Sequence, residues 1–164
     1  MTQFDIDYKK GKESEIKSLP DLQKVFGNDL VLDPEMFAHF DYYKDNYMAE
    51  LKTRDDIVFK DGEFHYTTRN GKKMILDSIY FDAVKMQYAF QHNKWRRKYN
   101  EKEKRFFMIW KCNNQYFYWE LNWDKVEYFI EEYNRDFGHG YKQVRDVINV
   151  KVEYIKPLST LSLF

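Results

Sequence analysis

Residues 40–54 contain two acids and a lysine whose spacing could hold a divalent metal ion. The stretch reads FDYYKDNYMAELKTR, and Asp45-Asn46 divides it into two runs of alternating character. Such a division predicts a β-hairpin with a two-residue turn, in which Asp45 and Asn46 adopt the positive φ that these turns need. Pairing outward from that turn sets Asp41 opposite Glu50.

The predicted register also separates a polar face of the hairpin from an apolar one. It pairs three further sets of residues across the strands, namely Lys44 with Tyr47, Tyr43 with Met48 and Tyr42 with Ala49. Because side chains alternate along a strand, the first face carries His39, Asp41, Tyr43, Met48, Glu50 and Lys52. The second face carries Phe40, Tyr42, Ala49 and Leu51, which we expect to lie in the core.

The predicted polar face places like charges next to each other. Directly opposed residues have Cβ atoms about 4.5–5.5 Å apart, so Asp41 and Glu50 would destabilise the sheet. A divalent cation such as Mg²⁺ between them would remove this repulsion, and it would take waters and phosphate oxygens as further ligands. Lys52 could then orient an attacking water and stabilise transition-state charge. The alternative interpretation is a solvated surface ion pair.

Asp41, followed after eight residues by Glu50-Leu51-Lys52, resembles the signature of the PD-(D/E)xK nuclease superfamily. The resemblance covers residues 10–121 and implies an α/β fold with a restriction-endonuclease-like core, in which helices flank a central mixed sheet. It implies that Asp41 and Glu50 ligate Mg²⁺ or Mn²⁺ and that Lys52 positions the nucleophilic water. It also implies an acid from the first helix, for which Glu15 is the nearest match and Glu13 the alternative.

The resemblance implies a function as well as a fold. The C-terminal stretch INVKVEYIKPLSTL is similar to that of small viral and phage members. We therefore expect a metal-dependent nuclease that hydrolyses phosphodiester bonds of DNA and that could act as a homodimer, as many relatives do. The alternative is a catalytically inactive module on the same fold that binds nucleic acid or protein, for example a viral inhibitor of a host enzyme.

The rest of the chain predicts the elements that must position these residues. Helical spacing predicts a first helix over 13–26, whose regular part would begin near Ser18 because Pro20 suits a first turn. A second helix is predicted over 78–95. Strand patterns predict hairpins over 30–54, over 57–68 with a turn at Asp61-Gly62 and over 105–121 around Asn113-Asn114, and a strand in 147–154. Residues 123–144 are ambiguous between helix and strand, and FGHGY at 137–141 is interpreted as a turn.

The run NKWRRKYNEKEKR, residues 93–105, carries seven basic residues and two acidic ones. Arg96, Arg97 and Lys98 could contact a nucleic-acid backbone, while Trp95 and Tyr99 could stack on an unpaired base. The alternative is a charged helix end, because basic side chains there complement the helix dipole. Earlier in the second helix, Lys85 or Gln87 could face the metal site, and the alternative is a solvated polar edge.

Composition limits the class of protein. At 164 residues the chain suits a single domain, 1–164. Its 27 basic and 27 acidic residues balance, which excludes an overall electrostatic attraction to nucleic acid or membranes. The lone Cys112, expected in a strand, excludes an internal disulfide and suits a reducing compartment. The first residues do not resemble a secretion signal, and no apolar run reaches the roughly 20 residues of a membrane helix. We therefore expect a soluble intracellular protein without a membrane partner, in the host cytoplasm or nucleus if viral.

Overall fold

A computed structural model describes residues 1–35, 38–122, 128–136 and 142–163, which form two α-helices and twelve strands. The helices are α1, Gln3–Phe26, and α2, Val84–Lys98. The strands are β1 Val31–Leu32, β2 Tyr42–Lys44, β3 Tyr47–Thr53, β4 Ile57–Lys60, β5 Glu63–Thr67, β6 Lys73–Ile75, β7 Ser78–Asp82, β8 Arg105–Cys112, β9 Gln115–Glu120, β10 Tyr128–Asp136, β11 Lys142–Lys151 and β12 Lys156–Pro157. No helix in these ranges is both long and apolar enough to cross a membrane.

The main sheet has six strands in the order β1-β2-β3-β8-β9-β12. It is mixed, because β3 and β8 run parallel while the other neighbours are antiparallel. Helix α2 lies in the connection from β3 to β8, as a parallel crossover requires. Two three-stranded sheets, β4-β5-β6 and β10-β11-β7, complete the described fold. The prediction of an α/β chain with a mixed sheet and helices is therefore confirmed.

The hairpin that carries the two acids has the predicted register. Three cross-strand pairs are observed, Tyr42 with Ala49, Tyr43 with Met48 and Lys44 with Tyr47. The predicted backbone of the turn is wrong, because φ is positive among the described non-glycine residues only at Asp61, Asn100 and Asn113. The two-residue connection between β2 and β3 therefore forms without the left-handed residues that were expected at Asp45 and Asn46.

Both other predicted hairpins are confirmed. Strands β4 and β5 join at Asp61 and Gly62, which have φ of 54° and 75°. These values suit a short antiparallel connection. Strands β8 and β9 join at Asn113, with φ of 56°, and Asn114. Cys112 is the last residue of β8 and is buried, as expected for a strand residue.

Helix α1 begins much earlier than the predicted range of 13–26. Thr2 caps its first turn, because the Thr2 hydroxyl accepts a hydrogen bond from Asp5 N–H at 3.2 Å and the Asp5 carboxylate accepts one from Thr2 N–H at 2.8 Å. This reciprocal arrangement satisfies two backbone donors at the helix start. Pro20 lies in the helix interior rather than in its first turn, and Gly27 ends the helix with φ of 108°.

The second helix begins later than predicted. Residues 78–82 form β7, which pairs with β11 and buries Ile79 and Phe81. The helical spacing from Ile79 to Ala83 and Met86 was misleading, because Ile79 also fits the two-residue period of a strand. The Asp82 carboxylate accepts a hydrogen bond from Val84 N–H at 3.0 Å, where the helix starts.

The C-terminal section contains a long antiparallel pair, β10 and β11. The strand predicted within 147–154 is observed through Lys151, after which Val152–Tyr154 forms a 3-10 turn. The predicted turn FGHGY at 137–141, with His139, lies outside the described residues.

The central strands are buried on both faces. On the α1 side, Ala49 and Leu51 pack with Leu22 and Phe26 of α1 and with Phe107. On the α2 side, Met48 and Phe40 pack with Ala89 and Phe106, and Met108 and Trp110 belong to the neighbouring cluster around Met86.

The predicted grouping of Phe40 with Tyr42 is wrong. Phe40 lies on the α2 side with Met48, whereas Tyr42 lies on the α1 side. Phe40 and Asp41 precede β2 in a bend, so the alternation of a regular strand does not extend to them.

We expect Thr2→Ala to loosen the first turns of α1, because loss of an N-terminal cap costs about 0.5–2 kcal/mol of helix stability. Hydrogen exchange should quicken at the amides of residues 3–8 and stay unchanged at residues 19–26, which pack on the sheet. Thr67→Ala, at an exposed threonine of β5, is the matched control. Unchanged exchange at residues 3–8 would contradict the cap.

Candidate metal and nuclease site

Asp41 and Glu50 lie side by side in the hairpin and are both buried. Asp41 is one residue beyond the last observed pair of β2 and β3, and Glu50 is near the middle of β3. Their exposed fractions are 8% and 2%. The Asp41 carboxylate oxygen Oδ2 accepts a hydrogen bond from Leu51 N–H at 2.8 Å, which fixes this side chain against β3.

Two lysines contact the same oxygen of Glu50. The ammonium Nζ of Lys52 lies 2.7 Å from Glu50 Oε1, and Nζ of Lys85 lies 3.2 Å from it. Lys52 is about half exposed, whereas the side chain of Lys85, on α2, is 14% exposed. Lys85 also donates a hydrogen bond to the backbone carbonyl of His39. Lys85 therefore ties α2 to β3 and to the segment before β2.

Glu15 brings a third carboxylate to this region from α1. Its backbone carbonyl accepts a 2.6 Å hydrogen bond from the Tyr42 hydroxyl, which places this turn of α1 next to β2. The Glu15 side chain is 13% exposed and lies 2.9 Å from Lys12 Nζ. Glu13, the alternative candidate, is exposed to solvent. The structure therefore favours Glu15 as the acid from the first helix.

The protonation of Asp41 reflects this crowding. Burial, then the charge of Glu50 and then that of Glu15 raise the pKa of Asp41 to about 8. The hydrogen bond from Leu51 and the charge of Lys52 oppose this shift without cancelling it. Burial disfavours the charged form of Lys52, but Glu50, Asp41 and Glu15 raise the pKa of this lysine overall. Lys52 is thus a firmly charged group beside an acid that loses its proton reluctantly.

The charge distribution bears on whether a cation is needed. Lys52 and Lys85 compensate Glu50, and Lys12 compensates Glu15, so repulsion alone does not demand a metal ion. Asp41, by contrast, is held by a backbone N–H.

The second carboxylate oxygen of Glu50 is not paired with a lysine. The buried Glu50 Oε2 has no hydrogen bond. A carboxylate oxygen of this kind is a hard ligand that suits Mg²⁺.

The protein would supply only a few ligands to a metal ion in this site. Among the residues that the structure describes, no group of three or more His, Cys, Asp or Glu side chains is arranged to hold a metal ion. Mg²⁺ is usually bound through one or two carboxylates and retains several waters. Asp41 and Glu50 fit this pattern, and the remaining ligands would be water and substrate oxygens.

The predicted phosphate contacts lie at the other end of α2. Arg96 pairs with Glu101 at 3.2 Å, and Arg97 pairs with Glu103 at 3.1 Å. Lys98 Nζ lies 5.2 Å from the centre of the Trp95 ring. The two acids of the basic run thus neutralise two of its arginines.

Lys85 or Gln87 was expected to face the metal site. Gln87 is exposed on α2, and only Lys85 makes a contact with Glu50.

Two features of the site were missed by sequence reasoning. Lys12 lies three residues before Glu15, a spacing at which side chains meet on a helix, but the predicted helix began after Lys12. The stacking of His39 on Tyr88, with ring centres 4.1 Å apart, joins the segment before β2 to α2. No local sequence signal predicts such a contact between distant elements.

Comparison with known proteins adds no relative to this description. No protein-family model matches the chain, and no curated protein and no solved structure matches it either. The functional argument therefore depends on the residues of the site.

We expect Asp41→Asn to change how stability depends on pH in the metal-free protein. The pKa of Asp41 is about 8 in the folded state and about 3.9 in an unfolded chain, so between these values only the folded state holds the proton. The free energy of unfolding should therefore fall as pH rises from about 4 to about 8, and Asp41→Asn should lack this contribution.

Urea unfolding in EDTA at pH 5 and pH 8 measures this difference. From pH 5 to pH 8, the free energy of unfolding of Asp41→Asn should rise by at least about 1 kcal/mol relative to that of wild type. This difference is a fraction of the full linkage effect. Asp45→Asn, at the exposed turn, is the control and should follow the wild-type profile. Parallel profiles for wild type and Asp41→Asn would contradict the assignment.

We expect Lys85→Met to destabilise the fold, because Glu50 would keep only one of its two ammonium partners. A loss of about 1–3 kcal/mol is typical when a buried polar group loses a partner. Urea unfolding measures the change, and Lys94→Met is the matched control because Lys94 is exposed on the same helix. Equal stability of the two variants would show that Lys85 does not support Glu50.

Proposed function

We propose that the protein is a Mg²⁺-dependent nuclease that hydrolyses phosphodiester bonds in DNA. The observation that carries the proposal is the pair of buried carboxylates, Asp41 and Glu50, with Lys52 Nζ at 2.7 Å from Glu50. Asp41 is buried and its pKa is perturbed, and groups of this kind are more common at functional sites than elsewhere, because catalysis depends on tuned pKa values.

The order of elements supports the same proposal. Helix α1 comes first, Asp41 precedes β2, the Glu-Leu-Lys element lies on β3, and α2 then leads to the parallel strand β8. This order agrees with what the resemblance to the PD-(D/E)xK superfamily implies. Glu15 of α1 approaches the pair closely enough to raise the pKa of Asp41, which supports its role as the additional acid.

Each side chain has a distinct task in this proposal. Asp41 and Glu50 would hold the metal ion through their carboxylate oxygens, with Mn²⁺ as a substitute for Mg²⁺. When bound, the ion would polarise the scissile phosphate and lower the pKa of a bound water. Lys52, charged and half exposed, orients the attacking water and stabilises negative charge that develops on the phosphate. Lys85 keeps Glu50 in place.

A second candidate function follows from the lysines. Lys52 and Lys85 already compensate Glu50, so the same arrangement could stabilise an inactive fold that binds nucleic acid or a protein. In that case the site would bind no Mg²⁺. Metal binding therefore separates the two functions.

We expect cleavage of plasmid and single-stranded DNA in Mg²⁺ or Mn²⁺ and none in EDTA. Glu50→Gln and Lys52→Met should each lower the rate by about 100-fold or more, as loss of a charge-stabilising group does in other enzymes. Glu63→Gln, at an exposed acid of β5, and Lys73→Met, at an exposed lysine of β6, are the matched controls and should retain wild-type rates.

Calorimetry with Mn²⁺ provides the second measurement. Wild type and Glu63→Gln should bind the ion, and Glu50→Gln should not. Absence of both cleavage and metal binding in the wild-type protein would overturn the proposed nuclease function and favour an inactive fold that binds nucleic acid or a protein.

A further inference from the structure

We propose that α2 carries a track for unpaired bases, which leads from the acidic pair to the aromatic rings at the end of the helix. The inference deepens the proposed nuclease function and rests on it for the identity of the substrate. The substrate class is nucleic acid with a single-stranded segment next to the bond that is cut.

The track lies along one face of α2, half-buried at its start and exposed at its C-terminal end. At about 100° per residue, a set of five side chains falls within an arc of about 80° on this helix. These are Lys85, Tyr88, His92, Trp95 and Tyr99. Lys85 contacts Glu50, so the stripe begins at the acidic pair and ends at the C-terminal end of the helix.

Two stacked pairs of rings include members of this stripe. His39, from the segment before β2, stacks on Tyr88 with ring centres 4.1 Å apart and planes 14° apart. Tyr88 and His92 also pack edge-to-face against Phe106. Trp95 stacks on Tyr99 at 5.5 Å and 19°. The exposed fractions of Trp95 and Tyr99 are 56% and 60%, so large ring surfaces face solvent. Such surfaces bind bases through stacking, which does not depend on base identity.

Positive charge accompanies the rings. Lys98 Nζ lies 5.2 Å from the centre of the Trp95 ring and 5.8 Å from that of Tyr99. Lys94 is exposed on the preceding turn. Arg96 and Arg97 remain on the same helix end, although Glu101 and Glu103 pair with them. Ammonium groups beside stacking rings suit a ligand that combines bases with a phosphate backbone.

The length of the track gives the size of the segment. Tyr99, the last ring of the track, follows Lys85 by fourteen residues, which corresponds to about 21 Å along the helix axis. At about 3.4 Å per stacked nucleotide this distance spans about six nucleotides. A duplex hides the faces of its bases inside the stack, so rings on this surface can reach bases only where these are unpaired.

Fluorescence anisotropy in EDTA tests the track without cleavage. The probes are a labelled 12-nucleotide single strand and the corresponding 12-base-pair duplex. We expect wild type to bind the single strand more tightly than the duplex and Trp95→Ala to weaken single-strand binding about tenfold or more, as loss of a stacking ring does. Trp95→Phe should restore most of the affinity. Phe4→Ala is the matched control, because Phe4 is 57% exposed on α1.

Two results would overturn the track. One is equal affinity of Trp95→Ala and Phe4→Ala for the single strand, and the other is a duplex affinity that matches or exceeds that of the single strand. Cleavage measured in parallel with Mg²⁺ separates the two proposals. If Trp95→Ala weakens binding but the wild type does not cleave, the track is supported and the proposed nuclease function is overturned. If the wild type cleaves but Trp95→Ala does not change binding, only the proposed track is overturned.

Discussion

The burial of Glu50 within β3 is the constraint on which the arrangement of the site depends. The strand is covered on both faces, by α1 residues around Ala49 and Leu51 and by α2 residues around Met48. A carboxylate in such a strand is costly unless it is paired. Lys52 supplies one partner from the same strand, and Lys85 supplies the other from α2. The position of α2 on the sheet is therefore coupled to the charge of Glu50.

Asp41 and Glu50 have different partners, and this difference determines the protonation of Asp41. Its carboxylate receives a backbone hydrogen bond from Leu51, while burial and two neighbouring acids raise its pKa to about 8. Asp41 can therefore exist as a neutral acid near neutral pH, and it would release its proton to solvent when a cation binds. The proposed metal site uses this property, because a divalent ion would add positive charge beside Asp41, where Lys52 offsets the neighbouring acids only in part.

The two helices contribute different chemistry to the same centre. Helix α1 brings Glu15 next to β2 through the contact of the Tyr42 hydroxyl with its backbone. Helix α2 begins with Lys85 at Glu50 and ends with the exposed stack of Trp95 and Tyr99. One rigid helix thus joins the proposed reaction centre to the proposed base-binding surface, so the distance between them is set by helix geometry.

Local patterns in the sequence determined the hairpins, the register that brings Asp41 to Glu50 and the placement of Cys112 in a strand. These features depend on turn residues and on alternation over a few positions, which act within short segments. Other features were decided by the tertiary structure. Residues 78–82 became a strand because β11 pairs with them, and Phe40 joined Met48 because a bend interrupts the alternation. The second partner of Glu50, Lys85, and the acid that joins Asp41, Glu15, come from helices that only folding brings to the hairpin, and short-range spacing carries no information about such contacts.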